Sequence, residues 1–336
     1  MAAIPYAKIT RASMAFFGCC LALNVSAAER GAPAREKIRV SFAAFSASYM
    51  DQFAAIEKGY YREEGFDVEV IKAGGGVATP ALMAEEIHFS TSSGSALSAM
   101  VRGAEIRVVY TNLDRPGYQL WSGKPEIRTV KDLIGKQIGI PSRGDTHEIS
   151  VRLLLKKHRI DPNSVAFTPV GFGGTRLAAI QAGSIDAATL GGGDVGQLKQ
   201  PRGHLLADIE KEVKFAYTGV AVSNRLLARN PELVERFLRG AIKGREYARR
   251  HKEPTLAFIQ KYNKTKREFN EQDYDSTLPV MTPEGWVPEE DLKEDILVRA
   301  ELVALSNPPE VKRLFDYSFV KKIYAELKAK GWTPAL

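Results

Sequence analysis

Small polar residues and one arginine gather where an apolar strand pattern gives way to a helix. Ser142, Arg143 and Thr146 follow the alternating residues Ile138 and Ile140. Free N–H groups and the positive end of a helix dipole favour an anion at such a turn, and hydroxyls with a guanidinium complete its hydrogen bonding. The sequence therefore indicates a ligand site here. An ordinary strand-to-helix turn is the alternative, because every alternating fold contains several.

The helix itself is predicted to begin at Asp145. Its carboxylate can cap free amides while Glu148, three residues later, reaches back, which is a capping box ahead of apolar residues such as Ile149 and Leu153. His147 then lies in the first turn of the helix. Either it donates to a ligand, or it is an exposed helix residue.

A second hydroxyl-rich turn lies earlier in the chain. Thr91, Ser92, Ser93 and Gly94 follow a short strand and open a helix of small residues. Open α/β sheets place their ligands at the carboxyl ends of strands. Two such turns suggest two lobes that face each other across a binding cleft.

A glycine-rich segment after a later strand has the GxGxxG spacing of dinucleotide-binding motifs. Gly191, Gly193 and Gly196 match it, but Pro201 ends the following helix early, so a cleft loop is the preferred interpretation. Asp194 either accepts a hydrogen bond from a ligand or caps the short helix. The five histidines are scattered along the chain. We expect no cofactor and no metal.

The composition is that of a folded protein with an N-terminal leader. The chain has 336 residues, of which 44% are hydrophobic and 26% charged. Lys8 and Arg11 precede an apolar run at 14–25, and the small residues at 25–27 suit cleavage, which predicts a signal peptide over 1–27. No later segment approaches ~20 continuous apolar residues. We expect a soluble periplasmic product.

Charge and cysteine usage narrow the function classes. The formal charge of +7 falls to +5 when two basic residues leave with the leader, and no run of like charges suits nucleic acid. A mild positive field fits anionic ligands. Cys19 and Cys20 both lie in the leader, so the mature chain needs neither disulfide nor thiol. A lipid anchor at Cys19 is a lesser alternative.

The order of patterns predicts an α/β protein of two lobes. Strands are expected over 38–42, 66–71 and 106–110 in the first lobe and over 138–140, 165–170 and 184–190 in the second. Extended segments at 118–121 and 215–223 would carry the chain between the lobes. Helices follow from Asn230, as N-cap, with Pro231 as first helical residue, and continue over 253–262, 288–305 and 311–330.

Three segments make the chain similar to a known family. They are AIEKGYYREEGFDVEVIKAGGG at 55–76, VKDLIGKQIGIP at 130–141 and LAAIQAGSIDAATLGGGD at 177–194. The chain resembles the substrate-binding component of ABC importers of the nitrate, sulfonate and taurine class.

The resemblance implies a periplasmic-binding-protein-like type II fold with two crossover strands and the C-terminal helices on lobe I. Lobe I would comprise 37–118 plus 218–336, and lobe II 119–217. It implies a small, anionic organic solute, a permease in the inner membrane as partner, no catalysis, and a monomer. It places these residues around the cleft: Ser46, Gly75, Ser92, Ser93, Thr146, Phe172 and Asp194. Our own candidates Ser142, Arg143 and His147 join them.

Two other functions stay open. The fold also resembles enzymes of menaquinone or pyrimidine-cofactor synthesis, but the leader argues against a cytoplasmic enzyme. The effector domain of a transcription regulator would need a DNA-binding helix pair before residue 38, where the leader lies. Sulfonate, nitrate, aromatic carboxylate and pyrimidine are not separated by the sequence, because each needs only a few donors in the same cleft.

Overall fold

The structure is a computed structural model that describes residues 35–171, 173–195 and 203–336. The predicted leader and Phe172 lie outside the described residues. Ten strands are described: β1 (Glu36–Phe42), β2 (Phe66–Lys72), β3 (Phe89–Ser90), β4 (Ile106–Leu113), β5 (Tyr118–Ser122), β6 (Gln137–Ile140), β7 (Ala166–Pro169), β8 (Ala187–Gly191), β9 (His204–Asp208) and β10 (Thr218–Ser223).

Fifteen helices are found in the same described ranges. They are α1 (Met50–Glu57), α2 (Tyr60–Glu63), α3 (Gly75–Met83), α4 (Ser93–Val101), α5 (Thr146–Lys157), α6 (Gly173–Gln181), α7 (Gly192–Val195), α8 (Ile209–Glu212), α9 (Asn224–Arg229), α10 (Pro231–Arg250), α11 (Lys252–Asn263), α12 (Arg267–Thr277), α13 (Glu289–Leu302), α14 (Val311–Leu314) and α15 (Ser318–Ala329). Single 3-10 turns lie at Ala47–Tyr49, Val130–Leu133, Pro162–Ser164 and Leu278–Val280.

The described strands form two sheets. The first has the order β2-β1-β3-β10-β4 and the second the order β7-β6-β8-β5-β9. Each is parallel on one side, and β10 and β5 run antiparallel to both of their neighbours. The chain passes between the sheets after β4 and again before β10. The predicted two-lobed type II α/β fold with two crossovers is confirmed, whereas the exact lobe limits stay a prediction.

Helices cover both faces of each sheet, so the central strands are buried on both sides. All six residues of β10 are buried, and so are seven of the eight residues of β4. On one face of the first sheet Phe237 of α10 stacks between Phe89 and Tyr61, with ring centroids 3.8 Å and 4.8 Å away. The outward side of α10 is charged, but Arg239 pairs with Glu64 at 3.1 Å. Lys243, one turn further along α10, pairs with Glu63 at 2.9 Å, so both of these basic side chains are neutralised locally.

Several element boundaries differ from the sequence prediction. The glycines at 74–76 were expected in a loop, but Gly75 begins α3, where any side chain would overlap Ser95 of α4. The edge strand β9 and the polar helix α12 were not predicted. The helix expected over 311–330 breaks into α14 and α15, because Asp316 N–H donates to the carbonyl of Val108 in β4 at 2.9 Å.

Helix α13 contacts both lobes. Ile296 packs into the core on one face of the first sheet, whereas Val298 packs into the core of the second sheet. Glu301, near its end, forms an ion pair of 2.6 Å with Lys156 of α5. The C-terminal region therefore does more than support the first lobe, since it also fixes α5. No helix in the described ranges has the length and hydropathy to cross a membrane.

A buried ion pair within α13 positions an arginine that anchors this helix to α4. Arg299 Nε and Asp295 Oδ1 are 2.6 Å apart, and both side chains are almost fully buried. Arg299 Nη1 donates to the carbonyl of Gly94 at 2.7 Å and to Ser98 Oγ at 2.5 Å. The Ser98 hydroxyl in turn donates to the carbonyl of Gly144 at 2.6 Å. One polar chain thus links α13, α4 and the turn before α5.

We expect Arg299→Leu and Asp295→Leu each to lower the free energy of unfolding by about 3–5 kcal/mol, because each leaves the partner charge buried and unpaired. The double variant should lose less than the sum of the two, since no buried charge remains. Urea unfolding of the three variants measures this. Additive losses would mean that the two charges do not interact across this pair.

Candidate functional site

A cavity of about 870 Å³ lies between the two sheets and takes its walls from both. Its floor includes the turns that lead into α4 and α5, which are the two hydroxyl-rich turns of the sequence. Seven of the predicted site residues line it: Ser46, Gly75, Ser92, Ser142, Arg143, Thr146 and His147. Among the described lining residues Ser93 and Asp194 are not found, and Phe172 lies outside the described residues. The contacts of all ten residues with a ligand stay predictions.

The first turn of α5 is capped by its own carboxylates. Asp145 Oδ1 accepts from the N–H groups of His147 at 3.1 Å and of Glu148 at 3.0 Å, as the capping box predicts. Glu148 reaches back one residue further than expected and accepts from Gly144 N–H at 2.8 Å. The amides of His147 and Glu148 are therefore occupied. A ligand anion at this turn finds two of the first amides already taken and relies more on side chains.

The Glu148 carboxylate is fully buried and is already bound by another arginine. Arg152, one turn further along α5, holds it with Nε and Nη2, each 2.9 Å from Oε1. Arg143 Nη1 lies 4.0 Å from the same oxygen, and the Arg143 side chain is 62% exposed. Arg143 is thus only loosely paired and extends at the cavity wall.

His147 is a neutral group in the cavity wall. Its ring stacks on Tyr118 with centroids 4.2 Å apart and an interplanar angle of 10°, and Nδ1 lies 2.6 Å from Thr189 Oγ1. Burial, together with the nearby Arg176 guanidinium, holds the pKa of His147 well below its usual range. The Tyr118 hydroxyl donates to the carbonyl of Thr146 at 2.8 Å. The imidazole is therefore uncharged near pH 7 and fixed in direction.

Arg176 was missed by the sequence analysis. It is almost fully buried in α6, donating from Nε to the carbonyl of Thr189 at 3.0 Å and from Nη1 to that of Gly171 at 2.6 Å. Burial lowers its pKa, while Asp194 and Asp145 raise it. The sequence did carry a signal for this residue: an arginine follows a glycine-rich turn and lies in a helix that is otherwise largely apolar.

Asp194 serves the protein's own charge balance. Its Oδ2 accepts from Gly191 N–H at 3.3 Å, and a side chain at Gly173 would overlap its carboxylate. Burial raises the pKa of Asp194, and the charge of Arg176 lowers it. Both contacts suit the capping role that the sequence left open beside ligand binding.

Ser92 is a buried hydroxyl in the cavity wall without a hydrogen bond of normal geometry to the described part of the chain. It is 6% exposed, and its Oγ has no hydrogen-bond partner within the described part of the chain. A buried hydroxyl without a partner costs free energy, so such groups call for an explanation. Tyr49 and Tyr217 stand beside it as aromatic walls. Ser92 is therefore available to a solute, with the Tyr49 hydroxyl as a neighbour that lies close enough to share its hydrogen bond.

The two lobes touch at Gly94. A Cβ on this residue would lie 2.6 Å from Thr146 Cγ2 and 2.7 Å from the carbonyl oxygen of Tyr217. Only glycine lets α4 approach α5 so closely. On the far side of the cleft, α7 packs against α12. The two lobes are therefore already in contact on both sides of the cavity. The described residues contain no group of three or more acidic, histidine or cysteine side chains that could hold a metal ion.

Comparison with known proteins agrees with this architecture. The riboflavin-binding protein RibY of Chloroflexus aurantiacus is 29% identical over 209 residues, which cover 57% of this chain and 56% of that protein. The periplasmic sulfonate-binding protein SsuA of Methylobacillus flagellatus KT has a similar fold, with a TM-score of 0.70 at 17% identity over 90% of this chain and 98% of that one. The desulfurization enzyme DSZB is also similar, with a TM-score of 0.59 at 14% identity over 87% of this chain and 99% of its own.

The family assignment rests on the sequence. The family described as NMT1/THI5 like matches residues 47–255, which include the turns at Ser92 and Thr146 and both passages between the sheets. The matched segment carries most of the described cavity wall. This chain belongs to the NMT1/THI5-like family.

Proposed function

We propose that this protein is the solute-binding component of an ABC importer: it is exported, holds an organic solute between its lobes and delivers it to a permease. The observation that carries the proposal is the cavity of about 870 Å³ between two sheets, with Ser92 buried in its wall and unpartnered. The family and the fold shared with a sulfonate-binding protein support it. The predicted leader over 1–27 gives the route of export.

The cavity favours a solute with a ring over a very small anion. Its volume lies in the range of sites that hold drug-sized molecules. Tyr49, Tyr217 and the neutral ring of His147 offer aromatic surface beside the Ser92 hydroxyl. The one described bond of the His147 ring uses Nδ1, which leaves Nε2 for the solute. The relative named for riboflavin binding supports a heterocycle.

We expect riboflavin, used as a heterocyclic probe, to raise the melting temperature by several degrees, and by clearly more than taurine or nitrate does at the same concentration. A ligand that binds only the folded state adds about 2.7 kcal/mol at a hundredfold excess over its Kd. Thermal unfolding, with flavin fluorescence for the Kd, measures this. A shift with taurine alone would overturn the ring class but not the importer. Conversion of a bound solute to product would replace the importer by an enzyme.

The Ser92 hydroxyl, which directly precedes α4, can be tested against Ser98, a serine within α4. Ser92→Ala should leave the free energy of unfolding of the empty protein equal or about 1 kcal/mol higher, because an unpaired buried group is removed. It should weaken binding of the ring-bearing probe about threefold to tenfold, the value of one hydrogen bond. Isothermal titration and urea unfolding give the two quantities.

Ser98→Ala is the control, since that hydroxyl is used within the protein. Its loss leaves the Gly144 carbonyl and one Arg299 donor unpaired, so we expect destabilisation of about 1–3 kcal/mol. Unchanged affinity in Ser92→Ala would show that the solute lies elsewhere in the cleft.

A further inference from the structure

Two arginines meet at the cavity from opposite lobes. Arg102 directly follows α4 of the first lobe, and Arg143 precedes α5 of the second. Both are exposed, and both line the cavity between the lobes. The two arginines thus border the same cavity from the two lobes.

A rigid contact brings these two residues together. Ser98 of α4 donates to the carbonyl of Gly144, the residue after Arg143, at 2.6 Å. One turn further along the same helix, Arg102 Nη1 lies 4.0 Å from where a Cβ of Gly144 would be. Gly144 has a φ of +71°, which suits glycine and turns the chain into α5. The juxtaposition is therefore built by helix packing.

Neither charge is well compensated by the protein. Arg102 forms no ion pair with any described residue, and Arg143 reaches only Glu148, at 4.0 Å. The Glu148 carboxylate is already held at 2.9 Å by Arg152. Asp145 uses Oδ1 to accept hydrogen bonds from two amides of α5. The dipole at the end of α4 stabilises a basic residue at position 102. It does not explain a second guanidinium from the other lobe.

We propose that Arg102 and Arg143 form a clamp for an anionic oxygen group of the solute, a carboxylate or a phosphate, at the junction of the lobes. This rests on the proposed function, since the clamp binds one end of the imported solute. A guanidinium fork matches the geometry of both groups. His147 and Ser92 line the same cavity and bind the remainder of the solute.

The clamp also explains how a bound solute would stabilise the contact between the lobes. Two guanidinium groups brought close repel each other, and an anion between them converts repulsion into two attractions. A ligand shifts an equilibrium only by its difference in affinity for the two states. An anionic end that touches both lobes binds the joined arrangement better than a separated one.

The experiment compares riboflavin with riboflavin 5′-phosphate, which share a ring and differ by one phosphate. The wild-type protein should bind the phosphate about tenfold tighter at low ionic strength, with the preference falling as salt is added. Arg102→Gln with Arg143→Gln should bind the two about equally, because the phosphate loses its guanidinium partners. Arg225→Gln with Arg313→Gln removes the same charge from exposed sites elsewhere and should keep the preference.

Inorganic phosphate tests the clamp without any ring. At constant ionic strength it should raise the melting temperature of the wild type and of the Arg225/Arg313 control, and have no effect on the Arg102/Arg143 variant. Equal stabilisation of all three proteins, or of none, overturns the clamp and leaves the importer intact. Failure of both flavins to bind overturns the ring class, while the phosphate result still decides the clamp.

Discussion

The contact between α4 and the turn before α5 is the constraint on which the cleft depends. Gly94 lets the two helices approach, Ser98 joins them with a hydrogen bond, and Arg299 holds α4 from behind. The Arg299 and Asp295 charges are buried, so their pairing fixes the position of Arg299 but costs desolvation free energy. Removing either partner leaves an unpaired buried charge, which is strongly destabilising. The positions of the cavity walls follow from this junction, because both hydroxyl-rich turns end there.

The same junction decides which polar groups remain for a solute. Asp145 accepts from two amides in the first turn of α5, and Glu148 accepts from the N–H of Gly144. Arg176 donates to two carbonyls, and Asp194 balances its charge. These groups shape the cleft and are satisfied without a ligand. What remains is a small set of side chains with different chemistry: a buried hydroxyl, a neutral imidazole and two poorly paired guanidiniums. A solute with a ring and an anionic end matches that set better than a bare anion does.

Local patterns predicted the parts of the fold that local physics governs. Asp145 was identified as a cap from its carboxylate ahead of apolar residues, and Asn230 from its position before Pro231; both caps are formed. Alternating residues such as Ile138 and Ile140 fixed β6. Strand β9 was missed, because its residues become a strand only by pairing with the edge of β5. The glycines at 74–76 were placed in a loop because the packing of Gly75 on Ser95 lies outside any local signal.

By itself the sequence determined the alternation of strands and helices and the two hydroxyl-rich turns. Seven of the ten candidate site residues line one cavity in the structure, and their contact with a ligand stays a prediction. Hydrophobic periodicity and capping act over a few residues, so they can be recognised from neighbours in the chain. Only the tertiary structure decided that Arg176 is buried and that Arg102 lies beside Gly144. Those outcomes depend on contacts between residues that are not neighbours in the chain, such as Arg176 with Asp145 and Arg102 with Gly144.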